Sequence, residues 1–128
     1  MESSGVLIDT DVLIDYLRDH AKAVEYLQSL SEPPAVSALT IAELYSGVRE
    51  GREKKFLDEF ANTLNVIDVS DEIARLGGLF RRNYFKSHGV GINDAIIAAT
   101  AELEDRILVT LNGKHFPMLR DIFVPYRK

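Results

Sequence analysis

The sequence predicts an α/β fold, a three-layer α/β/α sandwich in which helices cover both faces of a central, mainly parallel sheet of four to five strands. Three observations predict it. Short β-branched runs alternate with stretches of helical periodicity along the whole 128-residue chain. Proline and glycine punctuate the chain where one periodicity gives way to the next. No repeat, low-complexity tract or linker divides it, so residues 1–128 read as one domain, able to bury roughly two-thirds of its unfolded surface.

The elements follow in order. Val6-Leu7-Ile8, between Gly5 and Asp9, is a buried strand. From Asp11 the apolar residues Val12, Leu13, Tyr16 and Leu17 recur at helical spacing, and a second helix covers about Ala21 to Leu30 before Pro33-Pro34 stops it. Ala35-Val36-Ser37 is the second strand, followed by a helix through Ile41, Leu44 and Val48. Gly51 breaks the chain, and Phe56, Leu57, Phe60 and Leu64 mark the next helix. Val66 to Val69 is the third strand. Ser70 caps a longer helix, with Asp71 and Glu72 complementing its dipole and Ile73, Leu76, Phe80 and Tyr84 along one face. Gly89 to Gly91 separates this from a helix running from Asp94 to about Glu104, with Asn93 as its cap. Ile107-Leu108-Val109 is the fourth strand and Ile122-Phe123-Val124 a short fifth.

Bulk properties narrow the function. The formal charge of −5 and pI near 5.2 argue against generic, charge-driven binding of nucleic acid. Bound cations would locally reverse the sign that a phosphate meets, so an acidic nuclease stays open. The absence of cysteine excludes disulfides and thiolate metal sites and fits a reducing compartment. No apolar run reaches the roughly 18 residues of a membrane span. Met1-Glu2-Ser3-Ser4-Gly5 lacks the basic start and apolar stretch of an export leader. The expectation is a soluble, cytoplasmic protein with no membrane partner.

In a parallel sheet, ligands bind beyond the carboxyl ends of the strands. Asp9 ends the first strand, Glu43 lies a turn or so after the second, and Asn112 follows the fourth in Val109-Thr110-Leu111-Asn112. Asp94 joins them if its helix starts at that edge. Carboxylates gathered there repel one another unless a cation neutralises them, and all-oxygen ligation suits Mg²⁺ or Mn²⁺. Such an ion activates water for in-line attack at phosphorus. Each residue also has a plain reading. Asp9 and Asp11 can cap a helix, Thr40-Ile41-Ala42-Glu43 matches a capping box, Asn93-Asp94 suits a helix start, and Asn112-Gly113 is a common turn.

Four segments carry a resemblance to a known family. Val6-Leu7-Ile8-Asp9-Thr10-Asp11-Val12-Leu13-Ile14-Asp15-Tyr16-Leu17 resembles the opening of a PIN domain, and Ser37 to Gly47 its second segment. Asn93 to Ala101 and Leu108 to Phe116 resemble the third and last. Among PIN domains the chain is most similar to VapC-type toxins, the ribonucleases of toxin–antitoxin systems. The resemblance implies Mg²⁺- or Mn²⁺-dependent cleavage of RNA, a homodimer, and neutralisation by a cognate antitoxin protein. It implies Asp9, Glu43 and Asp94 as the acidic metal ligands, foremost Asp9 and Asp94. Thr10 matches the small hydroxyl residue that follows the first acid, with Asp11 and Thr110 in supporting places. The fourth position, often Asp in the family, is Asn112 here. An amide adds no charge and cannot act as a base, which favours one metal ion over two.

Lys114 and His115, next to Asn112, are candidate RNA contacts, as are Arg49 and Arg52; Lys54 and Lys55 extend that basic run, and Arg81, Arg82 and Lys86 form another. Both runs also read as solvated helix faces. Tyr16, Phe56, Phe60, Phe80 and Tyr84 fall at core spacings, whereas Tyr45, Phe85, Phe116 and Tyr126 are candidates for base stacking or a protein groove. Rival readings are a haloacid-dehalogenase-type phosphatase, suggested by Asp9-Thr10-Asp11 after a strand, and a phosphoacceptor receiver module, which needs an Asp ending the third strand. A catalytically weak PIN-like RNA- or protein-binding module is a further alternative.

Overall fold

Three central strands, β1 (Val6–Ile8), β2 (Ala35–Ser37) and β4 (Ile107–Val109), carry the sheet, with β3 (Asn65–Ile67) and β5 (Ile122–Phe123) at its edges. The order is β3-β2-β1-β4-β5 and every pairing is parallel, as the alternation of strand and helix requires. The computed structural model describes residues 5–128; the leader reading, made on Met1–Ser4, lies outside them.

β1 and β4 run in register, Leu7 beside Leu108 and Ile8 beside Val109. Successive side chains point to opposite faces, which gives the sheet two cores. Leu7, Ala35 and Leu108 face α6 (Ile92–Leu103), where Ile97, Ala98 and Ala101 meet them together with Phe116. Ile8, Val36 and Val109 face the opposite layer, where Val12 and Leu13 of α1 (Thr10–Leu17), Leu44 of α3 (Ala38–Ser46) and Leu57 of α4 (Arg52–Ala61) close over them. Each of these fully buried aliphatic side chains contributes about 1.5–3 kcal/mol. α2 (Ala21–Gln28) packs beside α1. α5 (Asp71–His88) lies against α6, and Gly77 makes the approach possible: a Cβ there would stand 2.9 Å from Cγ1 of Ile96. Gly89, left-handed at φ 66°, ends α5.

The chain lays down β1, β2 and β3 in one direction, and α5 and α6 then carry it back to β4 on the other side of β1. Neighbouring connections leave opposite faces there, which opens a crevice at the carboxyl ends of β1 and β4.

Several boundaries differ from the sequence reading. β3 begins at Asn65 and leaves Asp68 and Val69 outside. Its register is set by β2, with Asn65 beside Ala35 and Ile67 beside Ser37. Val66 and Val69 are exposed, so their apolar character reports an edge strand rather than burial. Val124 lies beyond β5, Leu64 beyond α4, Val48 beyond α3 and Leu30 beyond α2. The helix starts change too. Ser37, not Thr40, caps α3 through its side chain to the Leu39 amide. Gly91, not Asn93, stands before α6.

Candidate active site

Asp9 leaves β1 as the cap of α1, so one carboxylate oxygen accepts the Thr10 amide hydrogen at 2.8 Å. The other accepts from the Thr110 hydroxyl, also at 2.8 Å. Thr110 follows β4, and this bond ties the two central strand ends across the crevice. Asp9 is buried, 7 % exposed. Burial, the neighbouring Asp11 charge and, more weakly, Asp94 push its carboxyl up to about 7, against the lowering effect of its hydrogen bonds from Thr110 and Thr10. The plain capping role and a place in the acidic crevice therefore coincide in one residue.

Asp11 reaches the same loop from the next turn. Its Oδ1 accepts from the Val12 amide at 2.8 Å, and its Oδ2 from the Leu111 amide at 3.0 Å and from Nδ2 of Asn112 at 3.2 Å. The Thr110 hydroxyl is more distant from this oxygen, 3.4 Å, and its single proton goes to Asp9. Burial raises the Asp11 carboxyl, and the hydrogen bonds from Leu111, Val12 and Thr110 only partly offset it.

Glu43, one turn before the end of α3, is drawn in by a hydroxyl. Thr10 donates to its Oε1 at 2.6 Å and shares a second bond with the Thr40 hydroxyl, 3.0 Å away. Glu43 is thus not the return arm of a capping box. Asn93 Nδ2 approaches its other oxygen at 3.4 Å, which links α3 to the first turn of α6. Asp94 sits in that turn, half-buried, with His115 Nδ1 3.2 Å from its Oδ2. Burial raises the Asp94 carboxyl; His115 lowers it and Glu43 pushes it up again.

Asp9, Glu43, Asp94 and Asn112 thus come together at one crevice with Thr10, Asp11 and Thr110 between them. His115 joins through Asp94. Lys114 is exposed on the short 3₁₀ turn Gly113–His115, away from any ion pair among the described residues. Arg49 lines a neighbouring cleft of about 360 Å³ with Glu43 and Arg18, whereas Arg52, exposed at the start of α4, is in no ion pair among the described residues. Two aromatic expectations change. Phe116 is buried, 2 % exposed, and belongs to the core, while Phe56 is exposed. Arg81 lies 4.3 Å over the Phe85 ring, which occupies one residue of the second basic run.

The donor set suits a hard divalent cation. All four acids present oxygen, and their mutual repulsion is what a cation relieves. Among the described residues no three Asp, Glu or His side chains converge closely enough to hold one ion unaided. That fits an ion bound through one or two carboxylates that retains several waters, as Mg²⁺ does.

Sequence reasoning missed Thr40 and Asn93, both inside motifs it had read as caps. It also missed Asp15, a buried carboxylate that accepts from the Tyr126 hydroxyl at 2.8 Å and pairs with Lys128 at 3.0 Å. A faint signal existed: Asp15 repeats Asp11 one turn on, on the same side of α1.

The family model of the PIN domain matches residues 6–120. The chain belongs to the PIN-domain family. This PIN domain is 41 % identical over 124 residues to Ribonuclease VapC19 of Mycobacterium tuberculosis (strain CDC 1551 / Oshkosh), an alignment covering 94 % of this chain and 98 % of the relative. Ribonuclease VapC10 of the same organism is 37 % identical over 124 residues, with 94 % and 92 % covered. Among solved structures, a toxin-antitoxin complex from Klebsiella pneumoniae superposes with a TM-score of 0.84 at 28 % identity, covering 96 % of this chain and 99 % of that one. Membership of the family sets aside the phosphatase and receiver readings. Asp68, which a receiver would need, is exposed at the far edge of the sheet.

Proposed function

We propose that this PIN domain is an endoribonuclease that hydrolyses RNA phosphodiester bonds with Mg²⁺ or Mn²⁺. We further propose that it is the cytoplasmic toxin of a type II toxin–antitoxin pair, acting as a single nuclease domain in a homodimer until a cognate antitoxin neutralises it. The observation that carries the reading is the gathering of Asp9, Asp11, Glu43 and Asp94 at the carboxyl ends of the central strands, tied through Thr110, Thr10 and Asn93, in a chain similar to named ribonucleases. No helix among the described residues is long and apolar enough to cross a membrane.

Asp9 and Asp94 would hold the cation, with Glu43 completing the acidic wall. A bound divalent cation lowers the pKa of its water and offsets charge at the attacked phosphate. The remaining groups orient. Thr110 and the Thr10 amide fix the two oxygens of Asp9, and the Thr10 hydroxyl and Asn93 orient those of Glu43. His115, 3.2 Å from the Asp94 carboxylate, orients that acid. Asn112 carries no charge, but Asp11 stands 3.2 Å from it, so the fourth negative charge of the crevice comes from Asp11.

The test compares wild type with Asp9→Asn and Asp94→Asn for Mg²⁺-dependent RNA cleavage and for growth arrest on expression. Both substitutions should abolish both effects while the protein stays folded. Unchanged cleavage by either variant would overturn the assignment.

A further inference from the structure

Resting on that reading, we propose that the groove between α1 and segment 124–128 is the subsite for the RNA backbone flanking the scissile bond, with Arg18 and Arg127 as its phosphate contacts. The groove holds about 600 Å³ and begins at the site itself, because Asp11 and Asn112 form part of its wall. Asp11, Ile14, Asp15 and Arg18 line it from α1, at spacings of three, four and seven residues, which is one face of a helix. Arg18 therefore stands roughly 10 Å along the helix axis from Asp11, a span of about three stacked nucleotides at 3.4 Å each.

Its charge changes along that length. The site end carries Asp11. Beyond it the Asp15 carboxylate is matched by Lys128 at 3.0 Å and by the Tyr126 hydroxyl at 2.8 Å, and His20 stacks on the Tyr126 ring. These contacts around the buried Asp15 hold segment 124–128 over α1 as the second wall. Arg18 and Arg127 are then left exposed in the groove, with no ion pair among the described residues. A chain of net charge −5 keeps two unmatched guanidinium groups beside an acidic centre. A cation held by Asp9 and Asp94 would attract the scissile phosphate, and the arginines meet the phosphates that follow. A chain of phosphates fits this pattern, with one phosphate at the acidic centre and the next ones at the two guanidinium groups along the groove.

The measurement is binding of a single-stranded RNA of about ten nucleotides by fluorescence anisotropy, in Mg²⁺ and across a salt series, with the Asp9→Asn protein and with Asp9→Asn carrying Arg18→Ala and Arg127→Ala. The double arginine change should weaken binding about tenfold and reduce the slope of log affinity against log salt by about 1.4, which is 0.7 for each lost contact to a single strand. In the Asp9-containing protein the same pair should raise KM for that RNA about tenfold at unchanged kcat. Hydrolysis of a bis-aryl phosphodiester, too short to reach Arg18, should be unaffected. Arg18→Lys in the Arg127→Ala background should recover about 0.7 of that slope, because a point charge suffices at a phosphate.

RNA cleavage by wild type with unaltered binding and salt slope in the arginine variants overturns the subsite and leaves the nuclease reading intact. Arginine-dependent RNA binding in a protein that cuts no RNA supports the subsite and overturns the nuclease reading. Loss of antitoxin affinity with RNA affinity intact identifies a protein-docking face and overturns the proposal. Melting curves matching wild type separate these effects from misfolding.

Discussion

Asp9 and Asp15 are both carboxylates of the α1 region, both buried (7 % and 5 % exposed), yet their surroundings push them in opposite directions. The Asp9 carboxyl is raised to about 7, chiefly by burial and then by Asp11. Burial would raise Asp15 as well, but the hydrogen bonds of Lys128 and Tyr126, with the Lys128 charge, bring it below the ordinary carboxylate range. Burial is shared; the sign comes from what faces each group. Asp15 is a satisfied structural ion. Asp9 has hydrogen bonds but no basic side chain paired with it among the described residues, and Asp11 adds a like charge beside it.

The largest effect should separate the two residues by activity. Asp9→Asn should lower RNA cleavage on the order of a thousandfold, about 4 kcal/mol of barrier, while Asp15→Asn leaves kcat within about a factor of three; steady-state kinetics with saturating Mg²⁺ decide it. Equal losses would erase the contrast. Stability should separate them in the opposite sense. In EDTA, a carboxyl raised from 3.8 to about 7 contributes stability that is complete below pH 3.8 and lost as pH rises to about 7. Asp9→Asn, which keeps the helix cap, removes that loss and should stabilise the metal-free protein by on the order of 2–4 kcal/mol at pH 8. Denaturant melts with and without chelator check both the size and its disappearance on adding Mg²⁺.

Asp15→Asn should instead cost about 2 kcal/mol near neutrality, by leaving Lys128 and Tyr126 without their acceptor charge. Because the Asp15 carboxyl is lowered, its contribution is present above pH 3.8 and lost as pH falls below that. The variant should therefore converge on wild type in acid, which a pH series of melts will show. The smallest change sharpens the comparison. Asn112→Asp sets a new carboxylate beside Asp11, so the metal-free protein should lose about 1 kcal/mol. Mg²⁺ affinity should rise by about fivefold in calorimetric titration. Unchanged affinity would mean that Asp11 already supplies the charge the amide lacks.

Much of the fold was legible in the residues themselves. β1, β2 and β4 fall where their apolar, β-branched runs lie, because central strands are buried on both faces and leave a continuous pattern. The edge strand β3 was misplaced, since its register belongs to β2 and its one valine, Val66, faces solvent. Asp9, Glu43 and Asp94 could be picked out by the strand-end rule and by family likeness. How they are joined could not. Thr10 meets Glu43 across 33 residues and Asn93 meets it across 50, and the local patterns there pointed to caps that α3 and α6 do not use. The lock of Asp15 on Tyr126 and Lys128 spans 111 and 113 residues, and no periodicity within α1 announces such partners.

The bond from Thr110 to Asp9 reaches across 101 residues, so it forms only after the long return through α5 and α6 has brought β4 beside β1. A growing chain on the ribosome holds its first acid long before it holds the hydroxyl that orients it. Until β4 emerges, the crevice has a single wall. A fragment that stops short of β4 therefore lacks the bond that orients Asp9, and the proposed site is assembled only once β4 has joined the sheet beside β1.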